Sequence, residues 1–159
     1  MDNKRSVLFL CTGNCCRSQM AEALLRHLAS DRFEALSAGS HPAGFVHPLA
    51  IEALDRKGIT LDNQRSKSWD EFKGRRLDLV ITVCDAAAGA GCPIWPDRTM
   101  SVHWSLPDPA NHPGTDEERR ELANNVADRL EAKIQAMVNL DWSADREELV
   151  RRLSFLGEI

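Results

Sequence analysis

Eight consecutive residues, Cys11-Thr12-Gly13-Asn14-Cys15-Cys16-Arg17-Ser18, bring together three thiols, a guanidinium and a glycine. Three chemistries fit such a stretch. Cys11 is a buried structural thiol at a strand end, or Cys11, Cys15 and Cys16 join a distant histidine on zinc, or the loop cradles an anion above a nucleophile. Zinc wants about four ligands of suitable spacing, and a guanidinium beside a cation opposes it. The cradle uses every residue present. A loop that leaves a strand and enters a helix turns successive N–H groups into its own hollow, where the positive end of the helix dipole adds to them. Gly13 permits the tight path, and Asn14 tolerates a left-handed conformation or braces the loop. Arg17, separated from Cys11 by five residues, offers a planar fork to two oxygens of a tetrahedral oxyanion. The same field favours a thiolate at Cys11, hence a nucleophile, and Ser18 can hold or donate to that sulfur. The oxyanion is expected to lie against Thr12, Gly13, Asn14, Cys15, Cys16, Arg17 and Ser18. No resident metal and no cofactor are expected.

The elements that must hold this loop read as follows. Residues 7–10 form a short apolar strand and 18–29 a helix with Met20, Ala21, Leu24, Leu25 and Leu28 on one face. A second strand fits 33–38, and a helix fits 48–57, with Pro48 near its start and Gly58 just past its end. Residues 77–83, LDLVITV, carry the strongest strand signal, and 101–104 a weaker one. A long helix fits 116 to about 140, opened by a capping box of Thr115 with Glu118. A final amphipathic helix fits about 145–153. Strands alternating with helices predict a parallel sheet covered on both faces, with ligands beyond the carboxyl ends of the strands. Cys11 and Cys84 both fall at such ends, so two cysteines remote in sequence are expected on one rim.

The totals narrow the function. A chain of 159 residues with net charge −4 is one domain with no general affinity for nucleic acid, so an anion site has to be built locally. No apolar run approaches the ~20 residues of a membrane span, and the N-terminus turns apolar too briefly for a secretory leader. Five cysteines, an odd number, do not make a disulfide framework; in a reducing cytoplasm such thiols serve catalysis, redox chemistry or metal binding.

The run Cys-Thr-Gly-Asn-x-Cys-Arg-Ser-Gln-Met-Ala-Glu, from Cys11 to Glu22, resembles the signature of arsenate reductases built on the low-molecular-weight protein tyrosine phosphatase fold. The resemblance continues in Ser37-Ala38-Gly39, in Leu79-Val80-Ile81-Thr82-Val83-Cys84, in Cys92-Pro93-Ile94, and in His103-Trp104 followed by Asp108-Pro109-Ala110. It spans roughly 5–140, which suggests a phosphatase-like arsenate reductase domain over 1–140 and a C-terminal helical extension of the same domain over 141–159. The implied fold is a single α/β domain: a four-stranded parallel sheet flanked by helices on both faces, with the extra helix at the C-terminus.

The implied chemistry is arsenical detoxification. The Cys11 thiolate attacks arsenate, and Asp108, by position the family's general acid, helps water leave. By itself the Pro107-Asp108-Pro109 stretch reads equally as a turn. Cys84 then attacks the Cys11 sulfur and arsenite leaves; Cys92 attacks Cys84, and a Cys84–Cys92 disulfide goes to a reductant. Seven residues separate those two cysteines. Gly89 and Gly91 each weaken helix there by about 1 kcal/mol relative to Ala, which suits a segment that must rearrange. Both thioredoxin and a glutathione/glutaredoxin route are used within the broad family. Phosphate or sulfate would bind as inhibitor anions. A tyrosine phosphatase is the alternative, as is a non-enzymatic oxyanion-binding regulatory module. The phosphatase is disfavoured because Ala110 follows the Asp-Pro pair and the chain contains no tyrosine. Two positions depart from the family pattern: Cys15 stands where serine is usual and is expected to brace the loop, and Lys67 stands where some members place an acid that helps bind potassium. Lys67 is expected to pair with Glu22 in place of that cation. A cytoplasmic monomer is expected.

Overall fold

The computed structural model describes residues 4–61, 63–84, 95–96 and 98–159. Four parallel strands, β1 (Arg5–Cys11), β2 (Phe33–Gly39), β3 (Leu79–Thr82) and β4 (Met100–His103), form one sheet in the order β2-β1-β3-β4. Among the described residues four α-helices accompany them: α1 (Arg17–Ala29), α2 (Pro48–Asp55), α3 (Asp116–Val138) and α4 (Arg146–Leu156). The chain steps from β1 outward to β2, then returns across β1 to place β3 on its other side. The direction of winding therefore reverses between β1 and β3, and the carboxyl ends of those two strands border the crevice where an open α/β sheet takes its ligand.

Successive residues of β1 serve opposite faces. Val7 and Phe9, with Ile81 and Val102, meet all four α-helices; Leu8 and Leu10, with Val80, meet Phe72, Leu77, Trp69 and Trp95. Both faces are thus apolar, which explains why β1 and β3 read as continuous apolar runs rather than alternating ones. Among the described residues, helical structure flanks both faces, the α-helices on one and a 3₁₀ turn at Trp69–Phe72 on the other.

The boundaries differ from the sequence expectations in instructive ways. β3 begins at Leu79, not 77, because the Asp78 carboxylate takes the Ser6 N–H at 2.7 Å in place of a ladder carbonyl. The 3₁₀ turn was not expected; Ser68 starts it by accepting the Asp70 N–H at 3.1 Å. α3 opens on the expected Thr115–Glu118 capping box. α4 docks on β4 through a fully buried Trp104, whose indole donates to the Leu153 carbonyl at 2.9 Å. Among the described residues no helix is long and apolar enough to cross a membrane.

Candidate active site

The segment from Cys11 to Arg17 leaves β1 and enters α1 as the sequence predicts, with Cys11 the last residue of the strand rather than the first of the loop. Its carbonyls are held from outside. Thr12, Gly13 and Cys15 accept the backbone N–H groups of His41, Ala43 and His47 at 2.9, 2.9 and 2.8 Å. In a trans peptide the following N–H points the opposite way, so the amides of Gly13, Asn14 and Cys16 turn away from those partners. Among the described residues no side chain caps α1, which leaves its first-turn N–H groups and the positive end of its dipole for an anion. Asn14 takes the left-handed conformation, φ +46°. Gly39 ends β2 directly beneath the loop; a Cβ there would lie 2.5 Å from the Thr12 oxygen and 2.7 Å from that of Cys11.

A buried polar chain runs back from the sulfur. Cys11 Sγ lies 2.8 Å from Ser18 Oγ. The Asn14 amide donates to Ser18 Oγ at 2.8 Å and to Ser37 Oγ at 3.0 Å. Ser37 donates to Glu22 at 2.5 Å, and Glu22 pairs with Arg26 and, at 3.7 Å, with Lys67. Gln19 clamps Asn14 from below, donating to its side-chain oxygen at 3.1 Å and to the Arg65 carbonyl at 2.9 Å. Each buried polar atom in this chain has a partner, so the loop arrives preorganised.

Arg17 reaches over the hollow. Its guanidinium donates to the Leu106 carbonyl at 3.0 Å and stands 3.5 Å from Asp108 Oδ2. Asp108 also accepts the Ala110 N–H at 3.0 Å and the Asn111 amide at 2.6 Å. Cys11, Arg17, Asp108, Phe45 and His47 line one cavity of about 590 Å³.

The thiols separate into classes. Cys84 follows β3 and lies with its Sγ 3.5 Å from Thr12 Oγ1, on the rim shared with Cys11. Cys15 and Cys16 carry free thiols. Burial, helped by neighbouring negative charge, raises Cys15 to about 11 and pushes Cys16 higher still. Both stay protonated at neutral pH and are poor nucleophiles. Among the described residues no three His, Cys, Asp or Glu side chains converge on a metal-sized point. Cys92 lies outside the described residues.

The sequence singles out Cys11, Arg17, Cys84, Cys92 and Asp108; of these, the four described ones come to one rim, and Cys92 lies outside the described residues. The sequence pattern passes over Phe45, His47 and Asn111, which line the same cavity. His47 carries no motif; its Nδ1 accepts the Leu49 N–H at 3.1 Å and so caps α2. Phe45, 53% exposed, follows Gly44, whose φ is +88°. Asn111 carries no motif. A polar residue three places after the Asp of an Asp-Pro pair is the signal that could have found it.

The family model of the low molecular weight phosphotyrosine protein phosphatases matches residues 6–150. An arsenate reductase of Halalkalibacterium halodurans is 40% identical over 133 residues, covering 84% of this chain and 94% of that protein. Among solved structures, a thioredoxin-dependent arsenate reductase of Corynebacterium glutamicum superposes with TM-score 0.61 at 33% identity, covering 84% of this chain and 63% of that one. A low molecular weight protein tyrosine phosphatase of T. tengcongensis superposes with TM-score 0.67 at 26% identity, covering 85% of this chain and 98% of that one. A fold, a Cys-x5-Arg cradle and these likenesses converge: the chain belongs to the low molecular weight phosphotyrosine protein phosphatase family, beside its arsenate reductases.

Proposed function

We propose that this chain reduces arsenate to arsenite through a relay of thiols that begins at Cys11. Arsenate sits in the cradle of residues 12–18 with two oxygens on Arg17. The Cys11 thiolate attacks arsenic and one arsenate oxygen leaves as water, with Asp108 delivering the proton. Cys84, as thiolate, then attacks the Cys11 sulfur. The sulfur–arsenic bond breaks with its electron pair remaining on arsenic, which departs as arsenite, and a Cys11–Cys84 disulfide forms. Cys92 attacks Cys84 and releases Cys11, leaving a Cys84–Cys92 disulfide. A dithiol protein such as thioredoxin reduces that bond; glutathione with glutaredoxin is the other donor. Two thiols are oxidised for each arsenic reduced from the pentavalent to the trivalent state.

The observation that carries this reading is the position of Cys84, its sulfur 3.5 Å from the hydroxyl of the residue after Cys11. A hydrolase of this fold needs one thiol and water; a reductase needs a second thiol at the lip of the cradle. The assignment of Cys92 rests on the resemblance of its Cys-Pro-Ile setting. We place the reaction in the cytoplasm, where reductants of both kinds are available, and take the working unit as a monomer.

Disulfide mapping by mass spectrometry after a single turnover, with arsenate and without reductant, tests the relay. A Cys84–Cys92 bond is expected, with Cys11 reduced. No disulfide after arsenate exposure defeats the proposal. A glutathione adduct on one cysteine, when glutathione is present, identifies the other donor. The phosphatase reading gains one feature from the structure, since the aromatic ring of Phe45 lines the same cavity as Ala110. Cys84→Ser separates the two, because it abolishes arsenate reduction and leaves hydrolysis of an aryl phosphate intact.

A further inference from the structure

Asp108 is held by three donors of two kinds. Arg17 belongs to the cradle, and its fork is the group an oxyanion competes for. The Ala110 N–H and the Asn111 amide belong to Asp108's own turn, and they take opposite oxygens: Ala110 donates to Oδ1 at 3.0 Å and Asn111 to Oδ2 at 2.6 Å. Arg17 also faces Oδ2, at 3.5 Å. When a bound oxyanion draws the guanidinium inward, Oδ2 loses that neighbour. The Asn111 amide is then the described side chain still gripping the oxygen. Pro107 and Pro109 stiffen the backbone on either side, so the freedom left to Asp108 is chiefly in its side-chain torsions. Asn111 controls that freedom.

We infer that Asn111 is a positioning residue for this reaction, holding the Asp108 carboxyl over the cradle after substrate has claimed Arg17. The inference rests on the proposed role of Asp108 as proton donor. It extends that role to a residue lining the same cavity. Asn111 is exposed and ends no helix or strand, so its removal leaves the fold intact. Its effect should fall on the proton-transfer step and not on anion capture, because the cradle amides and Arg17 keep their places.

The experiment is a cycle of four proteins, unaltered, Asn111→Ala, Asp108→Asn and the double variant, each assayed for arsenate reduction with thioredoxin and for thermal unfolding. Asn111→Ala is expected to lower kcat about tenfold or more, the scale of one charge-assisted hydrogen bond. KM should stay within about twofold and Tm should be unchanged. In the Asp108→Asn background the same change should cost nothing further, because the group it positions is gone. An equal loss in both backgrounds, a rise in KM at constant kcat, or full activity of Asn111→Ala each overturns the inference. Failure of the unaltered protein to reduce arsenate overturns the functional reading, and this inference with it, and is distinguished by that control.

Discussion

Lys67 Nζ stands 3.7 Å from Glu22 Oε1, the oxygen that accepts the Ser37 hydroxyl. Its backbone N–H meanwhile holds the Asn14 side-chain oxygen at 2.9 Å. One residue therefore supplies a positive charge to the acidic end of the buried chain and fixes the loop residue whose amide meets Ser18. A potassium ion, which the resemblance implies at the positions of Asn14, Glu22 and Ser37 in some members, would supply the same charge from solution.

Activity should accordingly be equal in sodium and potassium salts at neutral pH, and Lys67→Ala should lose activity that potassium partly restores. Burial pulls the Lys67 ammonium below the usual lysine range, opposed in part by Glu22. The proton is therefore lost at lower pH than from a free lysine, and a potassium requirement should emerge first in alkaline buffer. Clear stimulation of the unaltered protein by potassium at neutral pH contradicts the assignment.

The second prediction concerns Cys15. Its desolvated thiol, raised from 9.0 to about 11, has Cys11 as the second cause of the shift. Alkylation of Cys15 by iodoacetamide should thus be slow at neutral pH and rise with a midpoint near 11. In Cys11→Ser the midpoint should fall, since the neighbouring negative charge is gone. The linkage has a definite sign. Between about 9 and 11 the unfolded chain releases a proton that the folded one retains, so stability falls as pH rises through that window. Cys15→Ser removes this part of the slope and should leave turnover near its original value, as a bracing residue predicts. Rapid labelling of Cys15 at neutral pH refutes the protonated thiol.

What could be read in the chain and what could not divides along the range of the interactions. The Cys11–Arg17 cradle, the Thr115–Glu118 cap and the apolar run of β1 are local, and local chemistry dictates them. The nearness of Cys84 to Thr12 follows once β1 and β3 are known to be neighbours, which the alternation of strands and helices implies. His47 belongs to the site through its N–H bond to the Cys15 carbonyl, a contact made only after folding, whereas Asn111 is only three residues from Asp108 and escaped because its residue type announces no such role. The 3₁₀ turn at Trp69–Phe72 escaped because one short turn has no period to detect. The retreat of β3 to Leu79 escaped because a carboxylate, Asp78, imitates a backbone acceptor.

Gly39 bears the third prediction. The Cβ of Gly39→Ala would lie 2.5 Å from the Thr12 oxygen, 2.7 Å from that of Cys11 and 2.9 Å from the Asn14 nitrogen, all backbone atoms. None of these can swing aside as a side chain does, so the cradle itself must move. Destabilisation of about 1–3 kcal/mol, typical of overpacking, should accompany a weakening of phosphate binding larger than that of Asn111→Ala. Calorimetric titration with phosphate and a thermal melt measure the two effects. Unchanged phosphate affinity disproves the close packing of β2 beneath the loop.

The fourth prediction treats the C-terminal segment as part of the same folding unit. Leu149, Leu153 and Leu156 of α4 are buried in the core cluster that covers β4. At about 1.5–3 kcal/mol for each buried leucine, these side chains alone contribute about 5–9 kcal/mol, comparable with the whole stability of a small domain. The Trp104 indole donates to Leu153 O, and Lys133 Nζ donates to the carbonyls of Leu156 at 2.8 Å and Ile159 at 2.6 Å. Removing residues 141–159 would strip a fully buried tryptophan of its cover one position beyond His103, the register partner of Thr82, and four residues before Asp108. A chain ending at 140 should therefore lose cooperative unfolding, seen by near-ultraviolet circular dichroism, and lose arsenate reduction with it. The milder Trp104→Phe keeps most of the packing and removes the one hydrogen bond, for a cost of about 1 kcal/mol. A truncated chain that melts at the temperature of the full one would show that α4 is an appendage and that the sheet closes its core without it.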